Sequence, residues 1–175
     1  MQALYFVVHA LLTLVVVAFL LRVLMPLARA DFRNPVGEAV LKVTNPLVLP
    51  LRRAFKPAGR IDLASVVALL LVQFAATALL GGLFVPGPAS ALALLGQALR
   101  DLLRTALQFY SVVILLYALL SWVAPPGHNP AAQLLARLAE PLLGPIRSVL
   151  PAPGGLDLSP LVALIGLQAL QILVR

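Results

Sequence analysis

The stretch NPVGEAVLKVTNPLVLPLRRAFKPAGRIDLASVVALLLVQ, residues 34–73, decides the fold because the chain carries it twice. A shift of about 95 residues, without a gap, lays it on NPAAQLLARLAEPLLGPIRSVLPAPGGLDLSPLVALIGLQ, residues 129–168, so the chain reads as a tandem duplication. Asn34-Pro35 meets Asn129-Pro130, Pro46 meets Pro141, Pro50 meets Pro145 and Arg52 meets Arg147. Gly59 meets Gly154, Asp62-Leu63 meets Asp157-Leu158, and Gln73 meets Gln168. A set this mixed survives in both copies when backbone geometry and polar contacts depend on it. The repeat units expected from this register are 1–85 and 86–175.

The surroundings of the repeat set the fold class. Hydrophobic residues make up 62% of the 175 and charged residues 11%, and mean hydropathy is +1.04. Soluble domains run nearer half apolar and a quarter charged. Four long apolar segments, 4–24, 61–85, 102–123 and 156–174, each approach the roughly 20 residues a helix needs to cross hydrocarbon. Helices satisfy their own backbone hydrogen bonds in lipid, whereas open sheets do not. The expectation is an all-α polytopic membrane protein with four transmembrane helices in two parallel tandem repeats. The chain has no cysteine, which excludes disulfides, thiolate metal sites and cysteine nucleophiles. Net charge is +7, but the basic residues sit between apolar segments, where membrane topology accounts for them; no nucleic-acid partner is expected.

The first apolar segment exceeds the core of a signal peptide, and its counterpart 102–123 is internal, so Ala28-Arg29-Ala30 is read as chain rather than as a cleavage site. Arg22, one turn from Pro26, is expected to snorkel to the interface as a boundary anchor. His9 reads as a hydrogen-bonded interior residue, and its counterpart Arg104 argues against matched machinery at the two positions. Seven of the 13 Lys/Arg fall from Arg29 to Arg60, which places that loop in the cytoplasm and the N terminus outside. Arg100 and Arg104 are the basic residues of the second connection, and Arg137 and Arg147 those of the third. Two crossings per repeat give both halves one orientation and bring the copied loops to one membrane face.

Each loop opens as an amphipathic helix. Asn34 is the candidate N-cap with Pro35 in the first turn, and Val36, Ala39, Val40 and Val43 oppose Glu38 and Lys42. In the copy, Ala131, Leu134, Leu135 and Leu138 oppose Gln133 and Arg137. Asn45-Pro46 and Glu140-Pro141 are expected to break these helices, since the residue before proline is pushed from α geometry. Arg52, with Arg53 beside it, and Arg147 follow as candidate contacts to anionic headgroups. Asp62 and Asp157 stand where a helix enters the membrane and are expected to cap it, with an ion or proton site as the sharper alternative. Gln73 and Gln168 lie three turns deeper, as an interhelical hydrogen bond or a polar pair lining a pathway. The piece 81–90 is the external seam, residues 90–104 are expected to run along the outer surface, and Trp122 beside Pro125-Pro126 suits an interfacial anchor.

TNPLVLPLRRAFKPAGRIDLASVVALLLVQ and EPLLGPIRSVLPAPGGLDLSPLVALIGLQALQIL resemble the YggT (YlmG-related) family of small bacterial and plastid membrane proteins. The resemblance covers both repeats, with one departure, Ala64-Ser65 where the second copy has Ser159-Pro160. It implies a multi-pass protein of the bacterial inner (plasma) membrane, in a family associated with cell division or nucleoid distribution, membrane-complex assembly and osmotic or ionic stress. It carries over no catalytic residue.

No H-E-x-x-H, G-x-S-x-G or phosphate-cradling loop is present, and His9 and His128 lie on different segments, so neither an enzyme nor a cofactor is expected. Two function classes follow. A scaffold or assembly factor would use the basic amphipathic loops to meet anionic lipid, other membrane proteins or a second copy. A small transport-linked protein in ion or osmotic homeostasis would use Asp62, Asp157, Gln73 and Gln168.

Overall fold

The computed structural model describes residues 1–57, 59, 61–84, 90–123, 130–150 and 157–174, with backbone alone at 122 and 123. The expected Asn129 cap, residues 85–89 of the seam, Arg60, Arg175, His128, the Trp122 side chain with Pro125-Pro126, and the turn glycines Gly154 and Gly155 lie outside what is described.

The described residues form an all-α structure of six helices: α1 Gln2–Leu27, α2 Pro35–Leu51, α3 Leu63–Phe84, α4 Ala91–Val123, α5 Pro130–Val149 and α6 Ser159–Leu173. Helices α1 and α3 are apolar on all sides, as helices facing lipid on one flank and a helical neighbour on the other must be. With 26 and 22 residues they span about 39 and 33 Å, enough for hydrocarbon. Helix α4 has 33 residues, about 50 Å, and it too is long and apolar enough to cross. Three helices therefore meet the requirements for a membrane span. Helix α6 is apolar but has 15 residues, about 22 Å, short of a full crossing on its own.

Two three-helix groups result, and their internal pairing recurs. In the first, α1 packs on α3 and α2 lies against both; in the second, α4 packs on α6 and α5 lies against both. The groups join along α3–α4 and α1–α4. One core gathers Val16, Phe19, Leu20, Val48, Ala64 and Ala68 from the first group. The other gathers Ile114, Leu138, Leu143 and Leu167 from the second, together with Met25 from the end of α1. That shared methionine puts the C-terminal ends of α1 and α4, with α2 and α5, at one end of the bundle. A hydrogen bond from Arg137 Nη1 on α5 to the Arg29 carbonyl, 2.8 Å, joins the groups there.

Three expectations are corrected. Helices α2 and α5 are continuous: Pro46 and Pro50 lie within the first, Pro141 and Pro145 within the second. All four prolines are on the exposed side, so the carbonyls they leave without amide partners face outward, and the buried stripe holds each helix together across the gap. The α2 stripe is Gly37, Val40, Thr44 and Val48, turned from the expected one, which leaves Val36 and Val43 exposed. The third correction concerns residues 90–104. They continue straight into the third crossing as part of α4, because Ala, Leu, Gln and Arg favour helix and no proline interrupts them.

The start of α2 follows its sequence. Asn34 has extended backbone and its Oδ1 accepts the Gly37 amide at 2.8 Å, with Pro35 at the first helical position. Gly37 is required: a Cβ there would meet the Phe32 backbone at 2.6 Å.

Candidate functional site

At the end of the bundle where α2 and α5 sit, each three-helix group closes on a polar cluster. In the first, Arg22 comes from the last turns of α1 and is 2% exposed. Its Nε donates to Ser65 Oγ on α3 (3.0 Å), and its Nη1 to Thr44 Oγ1 (2.6 Å) and Asn45 Oδ1 (2.7 Å) on α2. One guanidinium thus ties three helices through acceptors in a fixed fork geometry. The Ser65 hydroxyl in turn donates to Asp62 Oδ2 at 2.7 Å. Arg52, just past α2, reaches the same oxygen through Nε at 3.1 Å and Nη2 at 2.6 Å. Asp62 Oδ1 is buried and has no hydrogen-bond partner among the described residues.

The second cluster uses the counterpart positions with other residues. Arg147 Nε donates to Asp157 Oδ2 at 2.8 Å, as Arg52 does to Asp62. Its Nη1 reaches Glu140 Oε2 at 3.0 Å and its Nη2 the Tyr117 hydroxyl at 2.9 Å. In the repeat register Tyr117 stands where the first half has Arg22, and Glu140 where it has Asn45. Arg147 alone therefore reaches both positions. The exchange also moves charge: Arg22, Arg52 and Asp62 leave one excess positive charge, whereas Arg147, Asp157 and Glu140 leave one excess negative charge.

Both aspartates are held as carboxylates. Burial works against the charge on Asp62, but the hydrogen bonds from Arg52 and Ser65 outweigh it and set its pKa below the ordinary value. At Asp157 burial is likewise outweighed, by Ser159 and Arg147, and the shift has the same direction.

The sequence-predicted residues fall as follows. Arg52 and Arg147 are partly exposed but their guanidiniums are engaged inside the protein. Arg53 is exposed and carries no ion pair among the described residues. The Asp62 backbone carbonyl accepts from the Ser65 and Val66 amides as a cap's does, while its carboxylate goes to Arg52 and Ser65. Asp157 Oδ1 accepts the Ser159 amide at 2.9 Å, one residue ahead of the Leu158 cap of α6. Arg22 does not snorkel; it is the most deeply buried charge of the cluster and its apolar surroundings are covered by α2 and α3. Sequence reading missed Thr44, Asn45, Ser65, Tyr117 and Glu140. One signal was available: positions 22/117 and 45/140 change together between the copies, from Arg and Asn to Tyr and Glu.

Gln73 and Gln168 do not meet. Gln73 is buried on α3, donates to Thr77 Oγ1 at 3.1 Å and lines a cavity of about 510 Å³ at the end of the bundle opposite the two clusters. Gln168 lines a second cavity of about 430 Å³ between α4 and α6. Arg104 and Gln108 of α4 border both.

The CCB3/YggT family profile matches residues 1–83 and 96–175. The chain is 38% identical over 170 residues to an uncharacterized protein of Pseudomonas aeruginosa, covering 97% of this chain and 86% of that one. It is 37% identical over 171 residues to an uncharacterized protein in the proC 3′ region of Vibrio alginolyticus, covering 96% and 91%. To the uncharacterized protein YggT of Escherichia coli (strain K12) it is 36% identical over 171 residues, covering 98% and 88%. No solved structure matches the chain. With nearly the whole chain inside one profile and three full-length relatives, the chain belongs to the CCB3/YggT family.

Proposed function

We propose that this protein is a multi-pass scaffold or assembly factor of the bacterial inner membrane, with no catalytic activity of its own. Helices α1, α3, α4 and α6 make the four crossings of two parallel repeats, α6 with 15 residues being the shortest. Helices α2 and α5, at the same end of the bundle, lie at the cytoplasmic interface as one platform. The observation that carries this reading is the pair of matched clips, Arg52 on Asp62 and Arg147 on Asp157, each holding an amphipathic helix against its own hairpin. A helix held only for its own hairpin's stability would need no outward apolar surface. Here Val36, Val43 and Leu49 stay exposed on α2 beside Lys42 and Arg53. Such a mixed surface suits the headgroup region, anionic lipid and the flank of another membrane protein or a second copy.

A photo-crosslinking residue at Val43, introduced in cells, tests the reading. Discrete protein adducts that disappear in the Arg52→Gln/Arg147→Gln double variant are expected. Lipid adducts alone, in both backgrounds, would rule the scaffold out.

A further inference from the structure

The two cavities are copies of one feature, and the second copy is incomplete. Arg104, Gln108, Gln168, Gln171 and Ile172 line the second cavity, and their repeat counterparts His9, Thr13, Gln73, Ala76 and Thr77 all line the first. The first has a further wall, the N-terminal half of α4, which is supplied by the other repeat. Among the described residues the second is lined by α4 and α6 alone. Burial records the difference. Gln73 and Thr77 are 6% and 5% exposed, with Thr77 Oγ1 donating to Asp101 Oδ2 of α4 at 3.4 Å, whereas Ile172 is 69% exposed and Gln168 is exposed as well.

The surface that would complete the second cavity is also present, and it too is open. Helix α4 reaches the first core through Leu102, Ala106 and Phe109. Their counterparts on α1 are Val7, Leu11 and Leu14, all exposed, on the flank of α1 turned away from Val16, Phe19 and Leu20. The chain's own α1 does not fill the gap: it packs on α2, α3 and α4, while α6 packs on α4 and α5. A carboxamide such as that of Gln168, exposed within a span, is better served by a helical neighbour than by lipid tails.

We infer that copies of this protein associate head to tail in the membrane, α1 of one copy seating on α6 of the next as α4 seats on α3 within the chain. Parallel repeats permit it, because α1 and α4 run in one direction through the membrane and every copy shares that direction. The interface is heterologous, each copy offering α1 on one flank and α6 on the other, and it extends a repeat-to-repeat contact that the chain already makes once. It rests on the four crossings proposed above and is independent of the scaffold role.

Disulfide trapping in the cysteine-free full-length chain tests it. The Thr77–Asp101 contact maps onto Ile172 of one copy and Phe6 of the next, both exposed. Two differently tagged copies, one with Phe6→Cys and one with Ile172→Cys, are produced together and oxidised in isolated membranes. A disulfide joining the two tags is expected, well above that formed when Leu119→Cys, exposed elsewhere on α4, replaces Phe6→Cys. Adding Leu11→Trp to the Phe6→Cys copy should lower the adduct about tenfold, since lipid accepts the larger ring and a fitted helix contact does not, and should leave accumulation unchanged. The inference fails if the mixed adduct stays at the control level, if Ile172→Cys copies join one another equally well, or if Leu11→Trp has no effect. Phe6 and Ile172 lie on the spans and Val43 on α2, so failure here leaves the Val43 adducts of the scaffold test standing, and their loss leaves this adduct standing.

Discussion

Replacing Arg22 with methionine distinguishes a buried tie from a snorkelling anchor. Methionine keeps the length and apolar stem of arginine and removes the guanidinium. Three hydrogen bonds from a charged donor are lost, to Ser65, Thr44 and Asn45. At roughly 1.5 to 3 kcal/mol each, the gross loss is about 5 to 9 kcal/mol. Two effects offset it. The variant no longer holds a charge out of water, a relief of several kcal/mol. Thr44 also keeps its bond to the Val40 carbonyl and Ser65 its bond to Asp62, so Asn45 is the principal group left unserved. A net destabilisation of about 2 to 4 kcal/mol is expected. The repeat supplies a rescue. Arg22→Tyr combined with Asn45→Glu gives the first cluster the residues of the second, where one arginine reaches both positions. Each single change should destabilise, and the double should recover about 1 to 3 kcal/mol of coupling. Reversible denaturation of the purified protein in mixed micelles, with accumulation in membranes as a second reading, measures both. Arg22→Met within about 0.5 kcal/mol of wild type would show that Arg22 is no buried tie, since that is the outcome for a surface position.

Stability should also depend on pH through the two aspartates. Both have folded pKa values below the ordinary one, so their contribution is complete above the unfolded value near about 4 and is lost as pH falls through the lower folded value. Denaturation midpoints should therefore be flat from pH 7 to about 5 and drop below about 4, less so in Asp62→Asn/Asp157→Asn. Gly37→Ala should cost about 1 to 3 kcal/mol because its Cβ meets the Phe32 backbone, while Gly144→Ala, which meets only the Glu140 side chain at 3.4 Å, should be neutral or slightly stabilising by the same denaturation assay. Arg53→Gln should lower association with anionic vesicles by about 1 kcal/mol, read by flotation, and leave stability unchanged; Arg52→Gln should lower stability by up to about 1 kcal/mol as well, through its pair with Asp62.

The helices themselves were legible in the sequence because apolar length and the repeat register are both long signals. Asn34 as cap, α1 and α3 as spans, and α5 with Leu134 and Leu138 inward all follow from pattern alone. What was hidden depends on neighbours. Arg22 looks like an interfacial anchor until α2 is known to cover it, and no local property of 4–24 announces that cover. The prolines of α2 and α5 look like breaks because local preference for the residue before proline is read without the tertiary stripe that overrides it. The α2 stripe was misjudged for a related reason: Gly37 and Thr44 are not apolar by type, yet one is buried by backbone approach and the other by hydrogen bonding to Arg22. Arg52 with Asp62, and Arg147 with Asp157, were each singled out without being paired, because ten residues of separation across a turn give no register. Asp101 and Thr77 were not singled out at all; each is unremarkable until α3 and α4 bring them together.

Whether α2 and α5 lie on one face of the membrane, as the proposed cytoplasmic platform requires, can be tested in a cysteine-free chain. Single cysteines at Lys42 on α2 and Gln133 on α5, both exposed, are treated with a membrane-impermeant thiol reagent in intact cells and again after permeabilisation. Both positions are expected to be protected in intact cells and to react once the membrane is opened. Reaction of either position from outside would contradict the platform, because the two helices would then face opposite sides of the membrane or the wrong one.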